Sequence, residues 1–298
     1  MAVIRRDLQG DPGPGKGRRL PDWGPDTVGV FPTGPAALFD VRKSLHEQAA
    51  WLQRENPEYL LSFTSNLALL AQHFRDTGVK LTRLRALRSF AEALSPDLRE
   101  LCREVFGVGI TDSYSSEEIG YIALQCPSNE HLHVLSESVL LEVVDEAGRA
   151  CVPGQVGRVV VTPLHNFAMP LFRYELGDLA EPGPPCDCGR TLPVLRRVLG
   201  RTRNRVLLPN GESRFAYFGG KKLNTLPFLR QCQVVQKTRT DIELNLVVRR
   251  APSAEEEAHV IKIIRDALDY PFDVRIVYVD AIPRATSGKF EDFKSEAV

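Results

Sequence analysis

Short apolar segments alternate with amphipathic helical stripes in the first third of this 298-residue chain. Residues 42–55 carry Leu45, Ala49 and Leu52 on one helical face, and the apolar run at 59–63 has the length of a buried strand. The same alternation of strand and helix then repeats along the chain. Because a crossover helix makes neighbouring strands run parallel, this pattern predicts a mainly parallel sheet with helices on its faces.

Local signals mark the ends of two further helices in this part of the chain. Ser65 is expected to cap a helix that ends at Gly78, since Ser favours the N-cap and Gly the left-handed C-terminal position. Ser95-Pro96 is expected to open the next helix, because Pro is well placed at the first helical residue. Residues 1–30 are rich in Gly, Pro, Arg and Asp, and are predicted to form an irregular segment.

The pattern changes after the third helix. Apolar runs at 139–144 and 158–161, joined by a polar turn, predict antiparallel strands. Nearer the C-terminus, two strands, a helix opened by the capping box Ser253–Glu256 and a further strand form a ββαβ pattern. The sequence therefore predicts an α/β fold. Its parts are a partial large α/β domain with a mixed sheet and an antiparallel subdomain at 31–200, and a small α+β domain at 201–298.

Charge and composition exclude several classes of protein. The 38 basic and 38 acidic side chains balance, so the charge favours neither nucleic acid nor an anionic membrane surface as a partner. No apolar run approaches the ~18 residues of a membrane span, and the first residues lack the apolar core of a secretory signal. Six cysteines then indicate thiols or metal ligands rather than a disulfide framework, and predict a cytoplasmic location.

Three polar motifs are candidates for chemistry. Asp112–Gly120 is compatible with a turn and helix cap, but it also offers a ring for stacking, hydroxyls for phosphate oxygens and two carboxylates for a hard cation. Arg173–Asp178 ends in Gly-Asp, typical of a turn or of a carboxylate that accepts hydrogen bonds from two ribose hydroxyls. Pro283–Phe290 holds a lysine beside a glycine, which is either a solvated charge or a point charge delivered to a phosphate or carboxylate.

The order of these motifs resembles that of the adenylate-forming superfamily, and within it the phenylacetate–CoA ligase and capsule-biosynthesis branch. That branch carries Tyr-Gly-x-Ser/Thr-Glu, Arg-Tyr-x-x-Gly-Asp, Cys-x-Cys-Gly-Arg, Gly-Arg at a hinge and a terminal Gly-Lys. The resemblance covers roughly residues 58–298. The matching segments, in the same order, are Tyr114–Glu118, Arg173–Asp178, Cys186–Arg190, Gly200–Arg201 and Gly288–Lys289.

The resemblance implies roles for single residues. Tyr114 would stack on adenine, and Asp178 would hold the ribose. Glu118 would hold Mg²⁺, and Lys289 would contact the reacting carboxylate and the α-phosphate. The resemblance implies further nucleotide-binding residues: Ala91 and Glu92 on the opposite wall, Asp112, Ser113 and Ser115 beside Tyr114, and Arg201 at the hinge. Whether Glu117 or Glu118 meets Mg²⁺ stays open.

Cys126, His133, Cys186 and Cys188 form a second constellation. Their spacing alone leaves both a zinc site and ordinary packing open, because Cys-x-Cys is less typical of zinc than Cys-x-x-Cys. Some members of the branch bind a structural zinc with a Cys/His set at matching places, so the resemblance implies a structural metal site here. His131 competes with His133 as the fourth ligand, and the position just before a strand favours His133.

The sequence departs from the branch in two ways. Ser115 replaces the usual Gly, and Glu117 replaces a hydroxyl residue with a negative charge beside the expected phosphate site. A Ser/Thr/Gly-rich loop that wraps the β- and γ-phosphates is also expected N-terminal to residue 58 and is not found. We therefore expect a chain that lacks the family's N-terminal part, leaves an open sheet edge, binds AMP weakly and adenylates poorly by itself.

The resemblance implies an acid–thiol ligase that activates a carboxylic acid with ATP to an acyl-adenylate and transfers the acyl group to coenzyme A. Its cofactors would be ATP/AMP, Mg²⁺, coenzyme A and a structural Zn²⁺, and its partner a small-molecule carboxylate; a homodimer is left open. Phe63, Phe167 and Phe172 hint at an aromatic, phenylacetate-like acid. Two alternatives remain: a degenerate, non-catalytic nucleotide- and zinc-binding module, and an adenylating enzyme that uses another acceptor.

Overall fold

The computed structural model describes residues 1–7, 13, 15–201, 205–215, 223 and 226–297. They form two compact units. Unit 1 comprises Met1–Ser113 and Arg284–Phe290, and unit 2 comprises Tyr114–Pro283 and Glu291–Val298. This division differs from the predicted bounds at residues 30 and 200, because the N-terminal strand joins the sheet of unit 1 and a short C-terminal segment packs on the same unit.

Unit 1 is built on one six-stranded sheet. Its strands are β1 (Ala2–Arg5), β2 (Arg18–Leu20), β3 (Ala36–Asp40), β4 (Tyr59–Phe63), β5 (Ala86–Phe90) and β6 (Ile110–Thr111). They lie in the order β2-β3-β1-β4-β5-β6. All neighbouring pairs run parallel except β2 and β3, which are antiparallel. The sheet is therefore mixed and mainly parallel, as the sequence predicts.

The N-terminal segment contains a central strand of this sheet. β1 pairs with β3 on one side and β4 on the other, and its Ile4 is completely buried. The prediction of an irregular segment at 1–30 is therefore wrong for Ala2–Arg5, and it is also wrong for the strand Arg18–Leu20 and the short helix Pro25–Val28. Four residues are too few to show a periodic pattern, and the ladders that stabilise them come from strands much later in the chain. Residues 8–12 and 14 of the segment lie outside the described residues.

Helices cover the sheet of unit 1. They are α1 (Pro25–Val28), α2 (Leu45–Glu55), α3 (Thr64–Thr77) and α4 (Pro96–Phe106). The predicted cap of α4 is confirmed, since Ser95 Oγ accepts the Leu98 N–H at 3.2 Å, and α3 ends at Gly78 with a φ of 68° as predicted. The predicted cap of α3 is wrong. The N-cap is Phe63, whose side chain has no acceptor, and Ser65 lies inside the first turn.

The core of unit 1 lies between these helices and the sheet. Trp51 on α2 stacks on Phe39 of β3 with ring centroids 4.8 Å apart, and Phe74 on α3 packs edge-on against Phe106 of α4. Four large side chains of this core are each at most 2% exposed: Phe39, Trp51, Leu60 and Phe74. The apolar stripes read from the sequence are therefore the faces that the helices turn toward the sheet.

Unit 2 contains the antiparallel subdomain. Its sheet has seven strands: β7 (Ser113–Ser116), β8 (Gly120–Gln125), β9 (Leu132–Val134), β10 (Val139–Val144), β11 (Gly157–Pro163), β12 (Tyr174–Pro182) and β13 (Val194–Arg201). They lie in the order β10-β11-β12-β13-β9-β8-β7, and the pairings among β8 to β13 are antiparallel. Their inner faces carry a core of their own, with Ile122, Val159 and Val161 fully buried.

The C-terminal part of unit 2 has the predicted small α+β fold. Its elements are β14 (Arg205–Leu207), β15 (Ser213–Phe215), β16 (Leu229–Gln236), β17 (Asp241–Val248), α5 (Ala254–Leu268), β18 (Asp273–Tyr278) and β19 (Phe293–Ser295). The sheet order is β18-β17-β16-β19, and Phe228, Phe272 and Phe293 fill the core. The predicted capping box is confirmed, with Ser253 and Glu256 bonding each other's backbone N–H groups.

Among the described residues, no helix has both the length and the apolar character that a bilayer crossing requires. The cytoplasmic location stays a prediction, and the homodimer stays an open possibility.

Replacing Ile4 by Ala tests the assignment of β1 to the centre of the sheet. The change removes buried methyl groups from a central strand, so we expect the free energy of unfolding to fall by about 2–5 kcal/mol. Urea denaturation followed by circular dichroism measures it. Val30→Ala is the matched control from the same segment, because Val30 is 69% exposed and its truncation is expected to change stability by less than about 0.5 kcal/mol. Equal effects of the two changes would contradict the assignment.

Candidate functional site

Three segments of unit 1 leave its parallel sheet at one edge. Phe63 and Phe90 are register partners, so β4 and β5 end level with each other, and β6 runs parallel beside them. Because the carboxyl ends of parallel strands share an edge, the residues that follow emerge together, and such edges are where open α/β sheets bind ligands. These residues are Thr64–Ser65 after β4, Ala91–Glu92 after β5 and Asp112–Ser113 after β6.

Glu92 is held in the interior of unit 1. The residue before it, Ala91, has a φ of 66°, a left-handed conformation that non-glycine residues adopt only where the surroundings enforce it. Glu92 Oε2 accepts the Ser65 N–H at 2.6 Å, and Oε1 accepts the Phe290 N–H at 2.8 Å. Burial raises the pKa of this carboxyl above its usual range. Glu92 thus holds a helix start and the C-terminal loop; its place on an adenine wall stays a prediction.

Asp112 and Ser113 lie at the end of β6. Asp112 Oδ1 accepts the Ser89 hydroxyl at 2.8 Å and the Ser113 N–H at 2.9 Å. The Ser113 hydroxyl donates back to the Ser89 carbonyl at 3.0 Å. Burial raises the pKa of Asp112. These contacts tie the ends of β5 and β6 together, so both residues shape the sheet edge.

Lys289 belongs to unit 1 although it lies near the C-terminus. A tight turn carries it, in which the Gly288 N–H donates to the Ala285 carbonyl at 2.8 Å and the Ala285 N–H donates to the Lys289 carbonyl at 2.9 Å. Gly288 has a φ of 89°, which a residue with a side chain would rarely adopt. The Lys289 side chain is half-buried at this position.

Tyr114, Asp178 and Arg201 meet in unit 2. The Tyr114 hydroxyl donates to Asp178 Oδ2 at 2.7 Å, and Arg201 Nε lies 3.2 Å from Asp178 Oδ1. Asp178 and Arg201 are register partners on β12 and β13, which explains why their side chains meet. Two oxygens with about four acceptor directions leave the carboxylate able to accept further hydrogen bonds, as a ribose diol requires. Tyr114 is only 9% exposed, so its stacking on adenine stays a prediction.

A bulge in β12 aims Asp178. Arg158 pairs with Leu179 and Val160 pairs with Glu175, so β12 advances by more residues than β11 between the two pairings. Gly177, in the left-handed region at a φ of 73°, lies within this irregularity. Bulges re-aim single side chains and are common beside active sites. The Gly-Asp of the second motif is therefore a strand bulge rather than a loop turn.

Electrostatics keep the Tyr114 hydroxyl protonated. Burial first, and then the negative charge of Asp178, raise the pKa of Tyr114 far above its usual value. The phenol therefore remains a hydrogen-bond donor to Asp178 at neutral pH. The charge of Glu118 adds to the same effect. Glu118 is half-buried in the turn after β7, whereas its neighbour Glu117 is exposed, and Ser115 is half-buried on β7.

Four side chains of unit 2 form a cluster suited to a metal ion. The Sγ atoms of Cys126 and Cys186 lie 3.9 Å apart, and Cys188 Sγ lies 3.3 Å from His133 Nε2. All four donor atoms lie within 4.8 Å of one another. A tetrahedral zinc with Zn–S bonds of ~2.3 Å would place its sulfur atoms about 3.8 Å apart, close to the Cys126–Cys186 spacing. The cluster contains His133 and not His131, and the role of His133 as a metal ligand stays a prediction.

Neighbouring strands bring the cluster together. β8 ends just before Cys126, β9 carries His133 and pairs with both β8 and β13, and the loop before β13 carries Cys186 and Cys188. The backbone N–H of Arg190 is the main cause that lowers the pKa of Cys188 to about 6. His133 Nδ1 is buried with no hydrogen-bond partner among the described residues. Three thiols and one imidazole nitrogen are a donor set that fits a closed structural zinc site.

The sequence did not predict that Arg284 and Ser65 meet at the sheet edge. Arg284 Nη1 donates to Ser65 Oγ at 2.9 Å, and Ser65 Oγ donates to Glu92 Oε1 at 3.1 Å. Arg284 stands in the same motif as Lys289, which is the one local signal that could have drawn attention to it. Nothing in the spacing links Arg284 to Ser65, because the two residues lie 219 positions apart in the sequence.

Comparison with known proteins agrees with the predicted resemblance. Residues 223–296 match the family described as the CapK C-terminal domain. The chain is 33% identical, over 168 residues, to the phenylacetate–coenzyme A ligase of Thermus thermophilus. That alignment spans 54% of this chain and 38% of the relative. The chain therefore matches well under half of the length of this relative.

Two solved structures share the fold. A 2-hydroxyisobutyryl-CoA ligase in the postadenylation state with 2-HIB-AMP superposes with a TM-score of 0.68 at 22% identity, over 88% of this chain and 59% of that one. The anthranilate CoA ligase AuaEII with anthranoyl-AMP superposes with a TM-score of 0.64 at 18% identity, over 86% and 53%. At these identities the likeness shows the fold alone. Together the comparisons confirm the resemblance to the adenylate-forming superfamily.

Tyr114→Phe tests the hydroxyl–carboxylate bond of unit 2. The change removes a buried donor to a charged acceptor, so the free energy of unfolding should fall by about 1–3 kcal/mol in urea denaturation. Tyr121→Phe is the control on the neighbouring strand, because Tyr121 is 56% exposed, and should change it by less than about 0.5 kcal/mol. An unchanged free energy of unfolding in Tyr114→Phe would mean that the bond does not stabilise the fold.

Proposed function

We propose that this chain carries the ribose-binding and lysine-bearing part of an ATP-dependent carboxylic acid–CoA ligase. In the proposed reaction a carboxylate attacks the α-phosphate of ATP, an acyl-adenylate forms and pyrophosphate leaves. The thiol of coenzyme A then attacks the acyl carbon, and AMP leaves with the electrons of the C–O bond. This would make the protein an acid–thiol ligase, in keeping with the ligases that it resembles in sequence and fold.

One observation carries the proposal: the buried carboxylate of Asp178 is held from two sides and still has acceptor capacity. Tyr114 fixes one oxygen and Arg201 the other, so the carboxylate is oriented before a ligand arrives. Such preorganisation lowers the entropic cost of binding. A cis-diol such as ribose presents two donors to one carboxylate, and charge-assisted hydrogen bonds of this kind are strong.

The roles proposed for Lys289 and Glu118 follow from the negative charges that meet in this reaction. A carboxylate that attacks a polyphosphate meets electrostatic repulsion, which the ammonium group of Lys289 would offset during adenylation. Glu118 would hold Mg²⁺, because oxygen ligands suit this ion and Glu118 is less exposed than Glu117. Bound Mg²⁺ would supply charge stabilisation to the phosphates.

The acid and the acceptor are the finer parts of the proposal. We favour an aromatic, phenylacetate-like acid because of the relative from Thermus thermophilus. Of the three predicted pocket residues, Phe63 is 3% exposed and packs on Phe90, which is a core role. Phe167 and Phe172 are 84% and 80% exposed and are the better candidates for contact with a ligand. Mass spectrometry of the product distinguishes coenzyme A from a carrier protein or an amine as acceptor.

Asp178→Asn tests the nucleotide site. The amide has one acceptor oxygen and no charge, so loss of ~1.5–3 kcal/mol should weaken AMP binding about 10- to 100-fold in isothermal titration calorimetry. Glu175→Gln is the control, since Glu175 lies on the same strand, is 48% exposed in its side chain and pairs with Arg158. Its affinity for AMP should match that of the wild type. Unchanged AMP binding by Asp178→Asn would overturn the ribose role.

We also propose that the Cys126–His133–Cys186–Cys188 cluster holds a structural zinc ion. The purified chain should then contain close to one equivalent of zinc by plasma mass spectrometry, and Cys188→Ser should lose most of it. Cys151→Ser is the control, because Cys151 is half-buried in unit 2 but outside the cluster. Zinc content that does not change in Cys188→Ser would contradict the site.

A further inference from the structure

The segment Arg284–Phe290, called the lysine loop here, is packed into unit 1 by an apolar contact. Gly288 is buried against Phe63 and Val41. A Cβ atom on Gly288 would lie 3.3 Å from Phe63 Cε2 and 3.4 Å from Val41 Cγ1, which is tighter than most Cβ contacts, so these side chains would have to shift by a few tenths of an ångström. The loop therefore lies on the sheet edge in a defined position rather than loosely above it.

The two carboxylate oxygens of Glu92 are divided between the loop and helix α3. Oε1 accepts the backbone N–H of Phe290, the residue directly after Lys289. Oε2 accepts the Ser65 N–H in the first turn of α3, whose N-cap Phe63 offers no acceptor of its own. The positive end of the helix dipole favours a negative charge at this place. One carboxylate thus joins the start of a helix to the backbone beside Lys289.

Arg284 completes the contact from the loop side. Its Nη1 donates to Ser65 Oγ at 2.9 Å and to the Gly288 carbonyl at 3.1 Å, and Nη2 lies 3.5 Å from Asn66 Oδ1. The guanidinium is 3.9 Å from Glu92 Oε1, and the two side chains are only 13% and 12% exposed. Removal of one member of such a buried pair leaves the other charge uncompensated.

Burial disfavours the charged form of both groups. It raises the pKa of the Glu92 carboxyl and lowers the pKa of the Arg284 guanidinium. Each charge is thus costly in this place without the other and without the polar groups of Ser65, Asn66 and the loop backbone. A loop that moves away from unit 1 would leave Glu92 with the contacts of Ser65 alone.

We propose that Glu92 and Arg284 form a polar latch that docks the lysine loop on unit 1 and sets the position of Lys289. Both are positioning residues, and the role of Lys289 that they serve rests on the proposed function. The latch concerns only the docking of the loop on unit 1, so it can be tested without an assay of enzyme turnover. A purely structural alternative is that Glu92 serves as the cap of α3 and nothing else.

Hydrogen–deuterium exchange on the full chain without nucleotide tests the latch. Glu92→Gln keeps the shape of the side chain but has one acceptor oxygen, so it cannot serve both the Ser65 and the Phe290 N–H groups. We expect exchange of peptides that cover 284–290 to rise by about tenfold or more, since local opening becomes cheaper. Glu58→Gln is the control, because Glu58 is a partly exposed carboxylate of unit 1 that pairs with Arg83 outside the latch.

A second variant separates the latch from the helix cap. Gly288→Ala keeps the Glu92 carboxylate and its bond from the Ser65 N–H but strains the left-handed backbone of the loop, so exchange should rise in the loop and stay unchanged in residues 64–67, which Glu92 still holds. Gly211→Ala is its control, since Gly211 has a similar φ of 86° and an added Cβ there meets nothing within 4 Å. Trypsin cleavage after Lys289 should accelerate in Glu92→Gln and in Gly288→Ala, and in neither control.

The outcomes are distinct. Faster exchange in the loop for both variants supports the latch. A rise confined to residues 64–67 in Glu92→Gln, with an unchanged loop, would overturn it in favour of the helix cap. Loss of loop protection in Glu58→Gln as well would also overturn it. Failure of AMP binding in the Asp178 experiment would remove the proposed function but leave these measurements, and hence the latch, standing.

Discussion

The level ends of the parallel strands determine where the polar residues of unit 1 meet. Phe63 and Phe90 are paired across β4 and β5, so the chain leaves both strands at the same height. Glu92 follows one strand and Ser65 the other, so the Glu92 carboxylate comes within hydrogen-bond distance of both the backbone N–H and the hydroxyl of Ser65. The lysine loop adds its backbone to the same edge. A shift of one residue in this register would turn these side chains to opposite faces and would separate them.

How far the sequence predicted this arrangement depended on the range of each interaction. Ser95 and Ser253 were predicted as helix caps because the donor and acceptor lie three residues apart. Ser65 was wrongly expected to cap α3, because the acceptor at that helix start is Glu92, which is supplied by a different strand. The strand at Ala2–Arg5 was missed for a related reason, since its four residues gain their stability from β3 and β4.

The site of unit 2 shows the same limit. The Gly-Asp motif pointed to Asp178, but neither the bulge at Gly177 nor the bond from Tyr114 follows from local pattern. They require the pairing of β11 with β12 and the path of β7. The resemblance to a known family brought Tyr114, Asp178 and Arg201 onto one list, and the strand register explains why they are neighbours. The fold class, which depends on periodicity summed over many residues, was predicted more fully than any single contact.

The cysteine cluster has a thermodynamic consequence for unit 2. Its four side chains come from the end of β8, from β9 and from the loop before β13, so the proposed zinc ion would cross-link segments that are distant along the chain. An ion that binds only the folded form adds RT ln(1 + [L]/Kd) to stability, about 2.7 kcal/mol at a free concentration one hundred times Kd. The stability of this antiparallel sheet would then depend on the free zinc concentration, and a chelator would destabilise it much as a denaturant does.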